Sequence, residues 1–172
     1  RDRASDRLSE TRATRAPSRG HVSLFAALAA LLAPDTAAPR LPSVALEEIA
    51  APAEEPSDTW RMALAEGVRV IAHSFADPSP FVAPAHDAGA LVIAQVRSVD
   101  EARRAAGAGV DAIVAQGTEA GGHTGRMSTL PLVPAVVDAV APVPGLAAGG
   151  IADGRGVAAA LMLGAEGVWI GR

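Results

Sequence analysis

The stretch that decides the fold is ALVIAQVRSVDEARRAAGAGVDAIVAQ, residues 90–116, in which a helical segment separates two apolar runs. The runs at 90–96 and 110–116 are short and almost continuously apolar, which is typical of parallel strands covered on both faces. Between them SVDE forms a capping box, in which the Ser98 hydroxyl accepts from the Glu101 amide and the Glu101 carboxylate reaches back to Ser98. The stretch therefore predicts a parallel strand–helix–strand unit.

The same alternation continues on both sides of this unit. Further apolar runs of the same kind lie at residues 68–75, 145–151 and 166–172. Ser79 is expected to cap a helix that has Pro80 at its first position. Asp153 is expected to cap another helix, which closes at Gly164.

Five predicted strands with four intervening helices indicate an α/β protein with a parallel sheet. Two arrangements compete, an open doubly wound sheet and a TIM-type (β/α)8 barrel, and a complete barrel needs about 250 residues. In the second arrangement, residues 60–172 would form an incomplete TIM-type barrel of about five parallel strands. Such a barrel exposes strand edges, so pairing with another copy of the chain or with a partner is expected.

The residues before this region carry no visible chemistry. Residues 1–20 mix both charge signs without apolar periodicity and are predicted to be a disordered arm. The apolar run at 21–34 predicts a buried helix ended by Pro34, with a secretory signal as the alternative. LPSVALEEIA, residues 41–50, predicts a short amphipathic helix within an irregular segment over 21–59. The start at arginine and the end directly after an apolar run suggest a part of a larger fold.

Composition excludes several kinds of chemistry. The chain has no cysteine and no lysine, which excludes disulfides, thiolate metal sites, cysteine nucleophiles and Schiff-base chemistry. A net charge of -4 gives no broad reason to bind nucleic acid or an anionic membrane. The histidines show no zinc spacing, so no metal is expected, and His73 is predicted to lie in the core. A cytoplasmic location fits this composition.

The strand ends hold the candidate ligand site, because ligands of parallel α/β folds bind at the carboxyl ends of the strands. Gly149 and Gly150 follow one predicted strand and precede a helix, so their bare backbone can approach an anion. Simple tight packing is the alternative. Gly171 ends the next strand, and adjacent late strands of barrels commonly share a phosphate.

A second loop, QGTEAGGHTG, combines residues suited to a flat, redox-active ligand. The Gln116 amide can donate to and accept from the edge of a heteroaromatic ring, and Gly121 and Gly122 leave room for the ring itself. His123 can exchange a proton near neutral pH, although a solvent-exposed loop histidine is the alternative. Glu119 is expected to anchor the loop by accepting backbone N–H groups.

The segments VAQGTEAGGHTGR and LAAGGIADGRGVAAALMLGAEGVWIG closely resemble the nitronate monooxygenase family, formerly called 2-nitropropane dioxygenases. The resemblance covers about residues 60–172. It implies a TIM barrel that binds FMN non-covalently and oxidises alkyl nitronates, and in some members nitroalkanes, with O2 to a carbonyl compound and nitrite.

Carried over by position, the resemblance implies that Gln116 and Gly121 contact FMN and that His123 is the catalytic histidine. In this role a neutral His123 removes the α-proton of a nitroalkane, or positions an anionic nitronate. Trp169 stands where members often have glutamine, and Arg172 where many have threonine, so their contacts would be made by the backbone. The expected FMN-binding residues are Gln116, Gly121, Gly122, Gly149, Gly150, Trp169, Ile170, Gly171 and Arg172.

Two alternatives stay open. Flavin-dependent enoyl-acyl carrier protein reductases share the EAGGH loop and the fold. A non-catalytic, truncated barrel is the other.

Overall fold

The computed structural model describes residues 45–49 and 56–171, and these form a parallel sheet with helices between the strands. The strands are β1 (Ala45–Ile49), β2 (Val70–Ser74), β3 (Leu91–Val96), β4 (Ala112–Gln116), β5 (Gly145–Ala148) and β6 (Gly167–Val168). The helices are α1 (Asp58–Ala65), α2 (Ser79–Asp87), α3 (Val99–Ala108), α4 (Thr129–Val140) and α5 (Gly154–Met162).

The order of the strands decides between the two predicted arrangements. Each strand pairs in parallel with the next in the chain, so the sheet runs from β1 to β6 in sequence order. A doubly wound sheet would reverse its order at a switch point. The prediction of an incomplete TIM-type barrel is therefore confirmed.

The two faces of the sheet have different apolar neighbours. One face packs against the helices through side chains such as Ile71, Val92 and Ile113, which join Phe81 and Leu132 in the larger core. The other, here called the inner face, carries a smaller cluster of aliphatic side chains, and its members are Ile93, Ala112, Val114, Leu146 and Ala148. Alternation along each strand assigns neighbouring residues to opposite faces, so the runs are apolar on both sides, as predicted.

The prediction of a helix over 41–50 is wrong for residues 45–49. These residues form β1, which pairs with β2 from Ala45 opposite Val70 to Ile49 opposite Ser74. Alanine, leucine and glutamate favour a helix locally, but the exposed edge of β2 offers a row of backbone partners that a helix cannot use. Tertiary pairing therefore outweighs local propensity here.

The capping box at the start of α3 is confirmed in one half. The Ser98 hydroxyl accepts from the Glu101 N–H at 3.2 Å. The Glu101 carboxylate, however, accepts from the Arg97 N–H at 2.7 Å rather than from Ser98. The carboxylate therefore binds the backbone of Arg97, the first residue after β3.

The other two helix starts differ in outcome. Ser79 does not cap α2, because the Asp77 carboxylate accepts from the Ser79 N–H at 2.9 Å and from its hydroxyl at 2.6 Å. These bonds lower the pKa of Asp77. The Asp153 cap of α5 is confirmed by its bond from the Arg155 N–H at 2.9 Å, and Gly164 follows the helix with a φ of 93°.

Several predictions lie outside the described residues. These are the arm at 1–20, the apolar run at 21–34 and the remainder of the segment before residue 56, apart from β1. Of the helices within the described part of the chain, none is long and apolar enough to cross a membrane.

Candidate functional site

Polar side chains lie at the carboxyl ends of three neighbouring strands on the inner face. Ser74, at the end of β2, is opposite Gln95 in β3. Gln116 ends β4 two positions after the inner-face residue Val114, so it faces the same side of the sheet. Ser74 and Gln116 are buried, with exposed fractions of 1% and 5%. Ser74 and Gln95 were missed by the sequence interpretation, although a polar residue near the end of an apolar strand is a signal that could have found them.

Gln116 has one satisfied and one unsatisfied end. Its Nε2 donates to the Gly121 carbonyl at 3.3 Å, whereas its buried Oε1 has no hydrogen-bond partner within residues 56–171. Leaving a buried acceptor unpaired costs about 1–3 kcal/mol. A Cβ added at Gly121 or Gly122 would meet no atom within 4 Å. The unpaired Gln116 Oε1 therefore lies in the same loop as two glycines with free space beside them. A planar ring that has an N–H group on its edge requires this combination.

Glu119 anchors the loop, as predicted, but chiefly to the first residue of α4 and not to the backbone of the loop itself. Its carboxylate accepts from the Thr129 N–H at 2.8 Å and from the Thr129 hydroxyl at 2.9 Å. The backbone bond from Thr129 is the main reason why the pKa of Glu119 lies below its ordinary value. Ser128, at the N-cap of α4, makes no side-chain cap bond. Glu119, which lies in the loop before α4, caps the helix in its place.

Three glycines allow the loops after β4 and β5 to pack closely. A Cβ at Gly149 would lie 2.7 Å from the Thr129 Oγ1 and 2.9 Å from the Ala120 nitrogen, and one at Gly150 would lie 3.3 Å from the Glu119 Cβ. Both glycines have positive φ, 112° and 69°. Gly117, which the sequence interpretation missed, would overlap the Thr129 backbone. Tight packing thus explains these glycines in part, and phosphate binding stays a prediction.

The end of β6 completes the same edge. The Trp169 N–H donates to the Ala147 carbonyl at 2.8 Å, and its half-buried side chain packs against the inner-face cluster. Ile170 is exposed, Gly171 has open space at its missing side chain, and Arg172 lies outside the described residues.

His123 is exposed at this edge of the sheet. Its exposure agrees with the alternative given above, a solvent-exposed loop histidine. Its ring lies edge-on to Phe75, with centroids 5.6 Å apart and planes at 69°. Phe75 has a φ of 71°, a left-handed conformation that costs a phenylalanine about 1–3 kcal/mol. The Arg97 Cζ lies 4.8 Å from the centroid of the same ring. Neither residue was predicted, although each directly follows a strand.

The other described histidines make different contacts. His73 is buried, as predicted, with its ring 4.7 Å from that of Phe81, and it lines a cavity of about 220 Å³ with Asp77 and Arg104. His86 bonds the Asp111 carboxylate at 2.9 Å. Within the described ranges, no three histidine or acidic side chains group as metal ligands would.

The sequence model of the family described as "Nitronate monooxygenase" matches residues 11–172. The chain belongs to this family. The match begins well before residue 60, where the resemblance seen in the sequence begins.

Two curated relatives come from Mycobacterium tuberculosis. A protein named as a monooxygenase, Rv1533, is 60% identical over 111 residues, which are 64% of this chain and 30% of the relative. The enzyme (3aS,4S,5R,7aS)-5-hydroxy-7a-methyl-1-oxo-octahydro-1H-indene-4-carboxyl-CoA dehydrogenase is 45% identical over 125 residues, 72% of this chain and 35% of the relative. The chain thus spans about a third of the length of these relatives.

Two solved structures have the same fold. FabK from Thermotoga maritima is 42% identical with a TM-score of 0.61, over 63% of this chain and 34% of that one. Nitroalkane oxidase from Streptomyces ansochromogenes is 36% identical with a TM-score of 0.61, over 64% of this chain and 35% of that one.

Proposed function

We propose that this chain carries part of the active site of an FMN-dependent nitronate monooxygenase, which converts alkyl nitronates and O2 to a carbonyl compound and nitrite. The observation that carries the proposal is the loop after β4. It combines a buried, unpaired Gln116 Oε1 with open backbone at Gly121 and Gly122 and an exposed His123.

The residues of this edge fit a flavin in two places. Gln116 and the backbone at Gly121 would hold the polar edge of the ring. Gly150 and Gly171, with the backbone N–H of Ile170, would hold the phosphate near the start of α5. The Trp169 N–H, expected to share in this, is already used by the Ala147 carbonyl. The Asp153 carboxylate would otherwise repel an anion there, but it is paired with the Arg155 guanidinium at 2.6 Å.

His123 would handle the proton and the charge of the substrate. A neutral imidazole nitrogen can accept the α-proton of a nitroalkane, and the C–H electron pair then becomes the C=N bond of the nitronate. With a nitronate supplied directly, an imidazole N–H can instead donate to a nitro oxygen. Bound FMN would supply the electron acceptor for the oxidation.

Glu119 has a different part in this proposal. It is ionised, because its hydrogen bonds from Thr129 lower its pKa, and its Oε2 accepts both of these bonds at the start of α4. It therefore shapes the loop and does not exchange protons with the substrate.

The second candidate is a flavin-dependent enoyl-thioester reductase. It is favoured by the carboxyl-CoA dehydrogenase relative, whose name places a CoA thioester in its reaction. The identity to FabK, 42%, also exceeds the 36% to the nitroalkane oxidase at an equal TM-score. We place it second because the loop form QGTEAGGHTG closely resembles that of nitronate monooxygenases.

The deciding experiment compares two reactions of the purified full-length protein. Its flavin content is first measured by absorbance and by release of free FMN. Nitrite release from ethyl nitronate in air is expected, without NADH or NADPH. Oxidation of NADH or NADPH that depends on an enoyl thioester, without nitrite release, would replace the proposal by the second candidate. Absence of any flavin would favour a non-catalytic barrel.

A cytoplasmic location and a homo-oligomeric state complete the proposal. The oligomeric state is tested by light scattering during size-exclusion chromatography.

A further inference from the structure

We propose that Phe75 is a positioning residue for His123 and that Arg97 holds Phe75 in place. The inference rests on the proposed function, because it assigns Phe75 a part in the proton transfer by His123. It concerns three residues that follow three neighbouring strands, β2, β3 and β4.

Phe75 holds an unusual backbone conformation at the point of contact. Of the residues that the structure describes, it is the non-glycine residue with a positive φ, at 71°. Strained conformations persist only where the surroundings enforce them, and they cluster at functional sites. Here the strained residue places its ring edge-on to the His123 ring, with centroids 5.6 Å apart.

Arg97 fixes the Phe75 ring from a second direction. Its Cζ lies 4.8 Å from the ring centroid, within the range of a cation–π contact. The guanidinium is itself held, because its Nη2 donates to the Glu101 Oε1 at 3.1 Å. The other Glu101 oxygen accepts from the Arg97 backbone N–H, so α3 determines where the guanidinium lies.

The histidine loop touches this pair at two places. His123 contacts Phe75, and two residues later Gly125 packs on Arg97 so closely that a Cβ would lie 2.7 Å from the Arg97 Cβ. In the described part of the chain, the His123 ring makes its contact with Phe75 and no hydrogen bond. Aromatic packing is therefore what orients the imidazole.

Orientation matters differently for the two substrates. Removal of the α-proton from a neutral nitroalkane needs an imidazole nitrogen aimed at the C–H bond, and misplacement by about 1 Å can lower such a rate by roughly 10²-fold. A nitronate has already lost this proton. Loss of the Phe75 ring should therefore slow nitroalkane turnover selectively.

The test compares Phe75→Leu, Phe75→Tyr and Arg97→Met in the full-length protein. Leucine keeps an L-residue at the left-handed position, so the backbone strain is retained while the ring is lost. Phe81→Leu is the matched control, because it removes a buried ring on the helix side that contacts His73 and Trp60. The probes are nitroethane and ethyl nitronate.

The first readout is the NMR signal of the His123 ring protons, assigned by its loss in His123→Gln. The Phe75 ring current shifts these protons, so Phe75→Leu should return them to the position of a free imidazole, while Phe81→Leu leaves them unchanged. Phe75→Tyr should restore the shift. Unchanged His123 protons in Phe75→Leu would overturn the inference.

The second readout is the kinetic split. Phe75→Leu should lower kcat for nitroethane by roughly tenfold or more, with KM and ethyl nitronate turnover changed by less than about twofold. Arg97→Met should lower it by a smaller factor, and Phe75→Tyr should restore it. Equal losses for both substrates, matching those of Phe81→Leu, would show a merely structural role and overturn the inference.

The two proposals fail in different ways. If the wild-type protein releases no nitrite from either substrate, the proposed function fails, while the His123 signal still reports whether Phe75 orients the ring. If the wild type is active and His123→Ala is impaired with nitroethane but Phe75→Leu is not, only the further inference fails.

Discussion

The Glu119 carboxylate caps a helix that begins ten residues later, through two hydrogen bonds to Thr129. The Thr129 hydroxyl also lies 3.1 Å from the Gly149 carbonyl. One threonine therefore links the loop after β4, the start of α4 and the loop after β5.

Glu119→Ala should lower the free energy of unfolding by about 1 kcal/mol, as the loss of an N-cap does. Glu119→Gln should cost less, because its amide oxygen can still accept from the Thr129 N–H. Urea unfolding of the full-length protein measures both. Asp100→Ala, at an exposed residue of α3, is the control, and an equal loss there would contradict the capping role.

The stability that Glu119 supplies should depend on pH. Because its pKa in the folded protein lies below the ordinary value of 4.5, the folded state binds the proton more weakly than the unfolded chain. The contribution is thus fully present above pH 4.5 and is lost as the pH falls through the folded pKa. The stability difference between wild type and Glu119→Gln should shrink below pH 4.5, and a constant difference would contradict this.

Gly149→Ala should destabilise the protein by more than about 1 kcal/mol, because the new Cβ meets Thr129 and Ala120 and the φ of 112° is unfavourable. Gly107→Ala is the matched control. It lies in α3 with no atom within 4 Å of an added Cβ, and should stabilise by roughly 0.5–1 kcal/mol. Thermal unfolding compares them, and equal effects would contradict the packing argument.

Gln116→Leu should weaken flavin binding by roughly tenfold or more, the equivalent of one lost hydrogen bond at about 1.4 kcal/mol. Leucine is similar in size but cannot bond either the ligand or the Gly121 carbonyl. Flavin titration followed by fluorescence quenching measures the change. Gln116→Glu should also weaken binding, because a carboxylate cannot donate to the Gly121 carbonyl as the Gln116 Nε2 does. Retention of wild-type affinity in both variants would exclude Gln116 from the site.

His123→Ala should abolish oxidation of neutral nitroethane while flavin binding and much of the ethyl nitronate oxidation persist. The reason is that only the neutral substrate needs a base. His86→Ala is the control, since His86 bonds Asp111 and belongs to no part of the proposed site. Nitroethane turnover that survives in His123→Ala would exclude the histidine as the base.

The local sequence predicts an element well where the pattern and the packing agree. The runs that become β2 to β5 are apolar on both faces because helices cover one side and the inner cluster the other. β1 was missed because its alanine, leucine and glutamates favour a helix, and the pairing with β2 that overrides them is not visible in a short window. The bonds from Ser79 to Asp77 were missed for the related reason that the serine itself offered a plausible cap.

The sequence by itself determined the alternation of strands and helices, and it indicated the loop residues Gln116, Glu119 and His123 as candidates, because both depend on local pattern and residue type. Only the tertiary structure decided what His123 touches. Phe75, Arg97 and His123 come from the ends of three different strands. They meet because β2, β3 and β4 pair in parallel with a fixed register. That register is set by backbone hydrogen bonds between strands and by the packing of both faces, which no single segment encodes.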